Sequence, residues 1–398
     1  MRESCDAIVA GHICLDIIPT LTSGQLVFVP GRLFEVGPAV LSTGGAVSNT
    51  GLALHKLGVK TELMGKVGRD LFGEAIKKLI ARYDVGLTRG MIEVEYEASS
   101  YTVILSPPGA DRMFLHYPGC NNTFGADDID YDRLAGARLF HFGYPPLLAR
   151  FFERDGEELA DLFRRAKATG ITTSLDMVMP DPASPSGRVD WSRILAATLP
   201  YVDIFMPSLE ETLFMLRRET FEALAKKSGD LLAAITPGLA NSLAKDLLAM
   251  GAKVVGLKAG YWGLYVQTAS DQAWHGAGRA GPKDLTAWSR REIWSPCFEA
   301  HVVGTTGAGD ATVAGFHAAV LRGLSLEEAV TTATGVGGCN VEAADALTGV
   351  RGWEETQARI AAGWPRKPLS LDMTGWTHDA SMGLWFGPQD RGPNHQTF

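Results

Sequence analysis

The sequence predicts an α/β fold: a doubly wound, mostly parallel sheet flanked by helices, with a small separate β-sheet. Three observations carry this. Short β-rich runs alternate with stretches of helical period, two glycine-rich turns each open an apolar helix, and residues 13–40 and 91–117 alternate apolar with polar residues without helical period.

Taken in chain order, 7–10 is the first strand, and 13–40 supplies the first half of the small sheet. Apolar positions three and four apart then predict a helix over 48–57, a strand follows at 61–65, and a second helix covers 71–83. The segment 91–117 supplies the rest of the small sheet. Strands at 138–142, 171–176, 202–206 and 253–258 alternate with helices at 156–169 and 241–250. Residues 212–240 read as extra helices and 275–296 as a tryptophan-bearing, Gly-rich loop. One domain is expected over 1–365, and 366–398 as a C-terminal extension, poorly ordered or packed on, without chemistry of its own.

With 398 residues, 46% hydrophobic and 21% charged, the chain can bury one large core or two smaller ones. No run approaches the roughly 20 apolar residues of a spanning helix, and Glu3, Asp6 and Asp16 spoil a signal-peptide reading, so a cytoplasmic protein is expected. Five cysteines without metal-ligand spacing indicate neither a disulfide framework nor a zinc site. The net charge of −8 argues against a nucleic-acid surface and for a small-molecule partner.

The densest chemical signal is Gly304-Thr305-Thr306-Gly307-Ala308-Gly309-Asp310-Ala311, a glycine turn entering an apolar helix. Unpaired amides at a helix N-terminus attract an anion, and a carboxylate there has two readings. Asp310 is an N-cap, or it is the base beside an anion hole built by Gly307, Ala308 and Gly309. A second such turn runs from Ser42 through Gly44, Gly45 and Asn49. Its glycines allow a ligand close to the backbone, and Asn49 offers a donor and an acceptor to a polyol.

Four segments in this order resemble the ribokinase, or PfkB, family of carbohydrate and nucleoside kinases: Ile8–Asp16, Gly44–Gly58, Pro207–Glu211 and Gly304–Ala311. The likeness covers roughly residues 6 to 350. It implies a ribokinase-like fold, a lid that excludes water, and phosphoryl transfer from ATP and magnesium to a sugar or nucleoside. By the resemblance, Asp16, Gly44, Gly45 and Asn49 bind acceptor hydroxyls and Asp310 is the general base. Thr305, Thr306, Gly307 and Gly309 hold the triphosphate, Lys258 and Gly260 begin the nucleotide pocket, and Asn340 flanks the adenine. Glu211 would organise magnesium through water. A homodimer paired through the lids is also implied.

Several residues keep a second reading. Asp16 suits a strand-end turn, Glu210 and Glu211 suit the solvated first turn of a helix, and Lys258 could snorkel to solvent. Arg112 could read an acidic substituent or be an exposed hairpin charge, and His116, Tyr117 and Asn121 lie close by. Two departures from the family pattern stand out. Ser208 replaces an asparagine in the acidic element, and Gly304 replaces an aspartate, which argues against potassium activation. They also motivate a third reading, a sugar- or nucleotide-binding regulator with weak turnover.

Overall fold

The structure is a computed structural model that describes residues 5–21, 30–106, 113–227 and 229–392. Its strands are β1 (Ala7–Gly11), β2 (Cys14–Pro19), β3 (Ala39–Gly44), β4 (Thr61–Gly68), β5 (Gly90–Val94), β6 (Tyr101–Leu105), β7 (Met113–Tyr117) and β8 (Leu139–Gly143). They continue with β9 (Thr172–Asp176), β10 (Ile204–Phe205), β11 (Val254–Lys258), β12 (Leu264–Thr268), β13 (Glu292–Ser295), β14 (Thr377–Asp379) and β15 (Leu384–Phe386). Eleven described strands form one sheet in the order β14-β15-β13-β12-β11-β10-β9-β8-β1-β4-β5, and four form a second in the order β3-β2-β6-β7. From β5 to β11 every pairing is parallel, whereas β12, β13, β14 and β15 are antiparallel to their neighbours.

Period-two alternation explains why the central strands are apolar throughout. Ala7 and Val9 of β1 join a core layer with Leu139, while Ile8 and Ala10 join the opposite layer with Phe140 and Phe142. Helices cover both faces, so neither set of side chains reaches water. On one face the Ala308–Leu321 and Leu326–Asn340 helices cross closely, because a Cβ on Gly315 would already stand 3.0 Å from Ala333 and Val336.

The six expected main-sheet strands and the helices over 48–57, 71–83 and 156–169 are present within a few residues. The helix expected from 241 begins at Pro237, where Thr236 accepts from the Leu239 amide and proline sits in the first turn. The extra helices within 212–240 are present as Leu209–Leu216 and Arg218–Lys227.

Three expectations are corrected. Of the segment 91–117, only β6 and β7 join the small sheet; β5 pairs with β4 as the edge of the large one. Residues 275–296 are not a loop throughout: Leu285–Trp288 is helical and β13 is a buried sheet strand, with Trp274 against Trp288 and Trp288 against Phe316. The extension beyond 365 supplies β14 and β15 to the sheet. Residues 22–29, within the first lid segment, lie outside the described residues.

Candidate active site

The strands β1, β8, β9 and β11 end on one side of the sheet, and the side chains beyond their carboxyl ends converge with the start of the Ala308–Leu321 helix. Gly307, at φ 70°, turns the chain into that helix, and a Cβ there would strike Ala346 at 2.6 Å. The first i→i−4 bond runs from the Ala311 amide to the Gly307 carbonyl, 2.8 Å, so the Gly309 and Asp310 amides lie in the uncompensated first turn. Asp310 is 3% exposed.

Its carboxylate is held by donors from distant segments. Asn49 Nδ2 donates to Oδ2 at 3.1 Å, Thr50 Oγ1 to Oδ1 at 3.1 Å, and the Tyr144 hydroxyl lies 2.8 Å from both oxygens. Asn49 closes the first turn of the Ala46–Lys56 helix and Thr50 opens the second, and the start of this helix packs directly onto β8: a Cβ on Gly143 would meet that of Ala46 at 2.1 Å. Tyr144 takes a left-handed conformation, φ 67°, immediately after β8. Burial and Asp310 together push its hydroxyl well above the ordinary tyrosine range, keeping it a donor.

Asp16, on β2, approaches Gly44 so closely that a Cβ there would lie 2.4 Å from its Oδ2. Burial pushes the Asp16 carboxyl up to about 6, against hydrogen bonds from Cys14 and Thr102. Gly45, at φ 92°, begins the helix that carries Asn49, and the space a Cβ would fill there is taken by the His12 carbonyl and Nδ1. The close approach at these glycines is made by the chain's own Asp16 and His12. Asn49 spends its amide N–H on Asp310, leaving Oδ1 without a protein partner among the described residues.

Lys258 closes β11 and does not reach for solvent. Its ammonium pairs with the fully buried Asp176 at the end of β9, 2.5 Å away, and flanks Gly309, where a Cβ would stand in van der Waals contact with it at 3.6 Å. Burial pulls the Lys258 ammonium down, but Asp176, Glu211 and Asp310 overcome it and hold it charged. Burial pushes Asp176 up, with Lys258 opposing and Glu211 and Asp310 adding to the rise. Three carboxylates thus share one ammonium, an arrangement short of positive charge.

Glu211 is half-buried and closes a capping box, rather than standing as a solvated first-turn charge. Ser208 caps the Leu209–Leu216 helix, and Glu211 returns a 2.7 Å bond to the Ser208 amide through Oε2. It nonetheless acts electrostatically on Lys258, Asp176 and Tyr144. Gly260, at φ 52°, turns the chain out of β11 beside Leu232. Thr305 accepts from the Ala308 amide at 3.2 Å and Thr306 precedes the turn. Asn340 is fully buried and its amide holds the Ala346 carbonyl at 2.7 Å, bracing the loop that covers Gly307.

Arg112 lies outside the described residues. His116 Nδ1 is 3.0 Å from the Thr102 hydroxyl, and Asn121 is buried with its amide on the Ile13 carbonyl. Tyr144, Thr50, Asp176 and His12 were not singled out by the sequence. An acid closing the strand Thr172–Asp176, and a polar residue closing an apolar helix turn, were the available signals for two of them. Among the described residues, no three His, Cys, Asp or Glu side chains converge to hold a metal ion by themselves, and no helix is long and apolar enough to cross a membrane.

Comparison with known proteins agrees with this geometry. The pfkB family carbohydrate kinase pattern matches residues 6–351. An uncharacterized sugar kinase of Archaeoglobus fulgidus is 27% identical over 276 residues, 69% of this chain and 88% of that protein. Fructokinase-2 of Oryza sativa subsp. japonica is 24% identical over 305 residues, 76% of each chain. Among solved structures, Thermotoga maritima ribokinase superposes with a TM-score of 0.65 at 20% identity, covering 90% of this chain and 99% of its own. Xylella fastidiosa fructokinase with bound ATP gives 0.66 at 18%, covering 89% and 98%. The fold is ribokinase-like, and the chain belongs to the pfkB family of carbohydrate kinases.

Proposed function

We propose that this kinase moves the γ-phosphate of ATP to a hydroxymethyl group of a sugar, with Asp310 as the general base. The observation that carries the reading is the setting of Asp310: a buried carboxylate in a helix's first turn, fixed by Asn49, Thr50 and Tyr144, and next in sequence to the glycine that Lys258 flanks. Three donors lock its orientation, so little reorganisation is needed when it takes a proton.

The residues present fit a magnesium–nucleotide. The glycine turn and the helix start offer amides to a phosphate, and Lys258 offers a point charge. Asp176 Oδ2 is buried without a protein partner, and the excess of carboxylates over ammonium suits a hydrated divalent cation held through water by Asp176 and Glu211. ATP supplies the transferring phosphoryl group when bound. The chain's own work is to place the acceptor between Asp16 and Asp310, accept the hydroxyl proton at the Asp310 carboxylate, and stabilise developing charge with the Gly307–Gly309 amides and Lys258. Gly260 and Asn340 shape the pocket walls, Asn340 through the loop it braces.

The small sheet exposes Val40, Leu41, Met113, Phe114, Leu115 and Tyr117, apolar surface that a second copy of the chain would cover. We assign it to a homodimer contact, checked by light scattering. The cytoplasm fits the five unpaired thiols.

The test is ADP release from ATP and magnesium across sugars, sugar acids and nucleosides, with Asp310→Asn and Asp310→Ala beside the wild type. One acceptor should turn over, with kcat roughly 10²–10⁴-fold lower in both variants and ATP binding retained. The reading fails if no acceptor releases ADP above the variants' background.

A further inference from the structure

His12 sits where the chain leaves the large sheet for the lid. Its backbone is fully used, the amide donating to Gly143 at 3.2 Å and the carbonyl accepting from Val47 at 3.2 Å. Its ring nitrogens are not used: the residue is 2% exposed, and neither Nδ1 nor Nε2 has a hydrogen-bond partner among the described residues. The ring lies against the start of the Ala46–Lys56 helix, where Nδ1 occupies the space a Gly45 side chain would need. Ring centroids of His116 on β7 and of Tyr144 are 5.2 and 6.3 Å away. His12 therefore adjoins the lid on one hand and, through Tyr144, the base on the other.

A buried imidazole with both nitrogens unpaired costs free energy that packing alone does not require, since an aromatic hydrocarbon would fill the same space. Burial, with His116 alongside, drives the His12 ring well below its ordinary range, so it stands neutral: one nitrogen a donor, the other an acceptor. The complement of that pair is a hydroxyl group, which accepts and donates. Asn49 Oδ1, also buried and unpartnered, adds an acceptor in the same quarter of the site.

We infer that His12 is a specificity-determining residue of the acceptor site, its neutral imidazole hydrogen-bonding a hydroxyl of a polyhydroxylated acceptor. This rests on the kinase reading above. Asp16 and His12 then hold the acceptor from the β2 and β1 ends, while Asp310 meets the reacting hydroxyl.

The experiment compares the wild type with His12→Phe, which keeps the ring and loses both nitrogens, and His12→Asn, which keeps polarity in a smaller volume. Steady-state kinetics with the preferred acceptor are combined with thermal melts without ligand. Losing the bond should raise acceptor KM roughly 10- to 100-fold in His12→Phe, with ATP KM within about twofold and Tm equal or higher. His12→Asn should retain part of the affinity, and remains informative if the phenylalanine variant does not fold. An acceptor KM within about twofold of wild type in whichever variant folds would reduce His12 to a packing residue. The same conclusion follows if acceptor and ATP KM rise by the same factor. A wild type that turns over no acceptor would overturn the kinase reading itself, and this inference with it.

Discussion

At the residue scale, function and stability oppose each other at Asp16. Burial pushes its carboxyl from 3.8 up to about 6, so the folded chain binds that proton more tightly than the unfolded chain does. The contribution of Asp16 to stability is accordingly greatest below pH 4, falls as pH rises through 4 to 6, and stays lower above. Asp16→Asn removes the burden: it should melt higher than wild type at pH 8 by about 1–3 kcal/mol, with the gain vanishing near pH 4, while acceptor KM rises. Melts at the two pH values check this, and an equal difference at both would sink it. Asp16, Gly45 and Asn49 were legible in the sequence because short local motifs carry them. Tyr144 and Asp176 were not, because each closes an ordinary strand and acquires its role only from Asp310 and Lys258, 166 and 82 residues away.

At the element scale, the loop after the Leu326–Asn340 helix explains the glycine at 304. A Cβ on Gly304 would lie 2.9 to 3.0 Å from the backbone of Ala343 and Ala344, and one on Gly307 would strike Ala346. The loop is itself pinned: Asn340 holds the Ala346 carbonyl, Lys56 holds the Leu347 carbonyl at 2.7 Å, and Asp345 accepts from the Leu347 and Thr348 amides. The aspartate common in the family has no room here. Gly304→Asp should therefore cost about 1–3 kcal/mol through displacement of the loop, and potassium should not recover it. Thermal melts with and without potassium decide the matter; a variant as stable as wild type and further stabilised by potassium would refute the argument. Periodicity located the parallel strands well because both their faces are buried, whereas β5 was mistaken for lid. Its residues alternate as an edge strand does, and only the pairing register with β4 assigns it.

At the scale of the whole molecule, the last described segment is part of the sheet rather than an appendage. Composition left this open, since Gly, Pro, Asp and Trp between 366 and 392 suit a poorly ordered or a packed-on extension alike, and β14 and β15 are three residues each. What anchors them is a charge. Arg291 is 1% exposed, with Nε 3.0 and 3.3 Å from the Asp390 carboxylate, and its other nitrogens bonded to the Ala287 carbonyl and Glu327. Asp390 also accepts from the Glu292 and Gly392 amides. Asp390→Ala leaves the guanidinium short of charge and the Glu292 amide unpaired, which should cost about 3–5 kcal/mol, more than a surface ion pair could. Replacing both partners, Arg291→Met with Asp390→Leu, should restore only the part of the loss that lies in the under-compensated guanidinium, because the Glu292 and Gly392 amides stay unpaired and Glu327 loses its partner. Sheet order puts β15 three strands from β11, so acceptor and ATP KM of Asp390→Ala at low temperature should match wild type. Urea unfolding of the two single variants and the double one measures the coupling. An Asp390→Ala variant within about 1 kcal/mol of wild type would mean that the segment is held by its apolar contacts, Trp376 against Tyr265 and Trp294, and not by the ion pair.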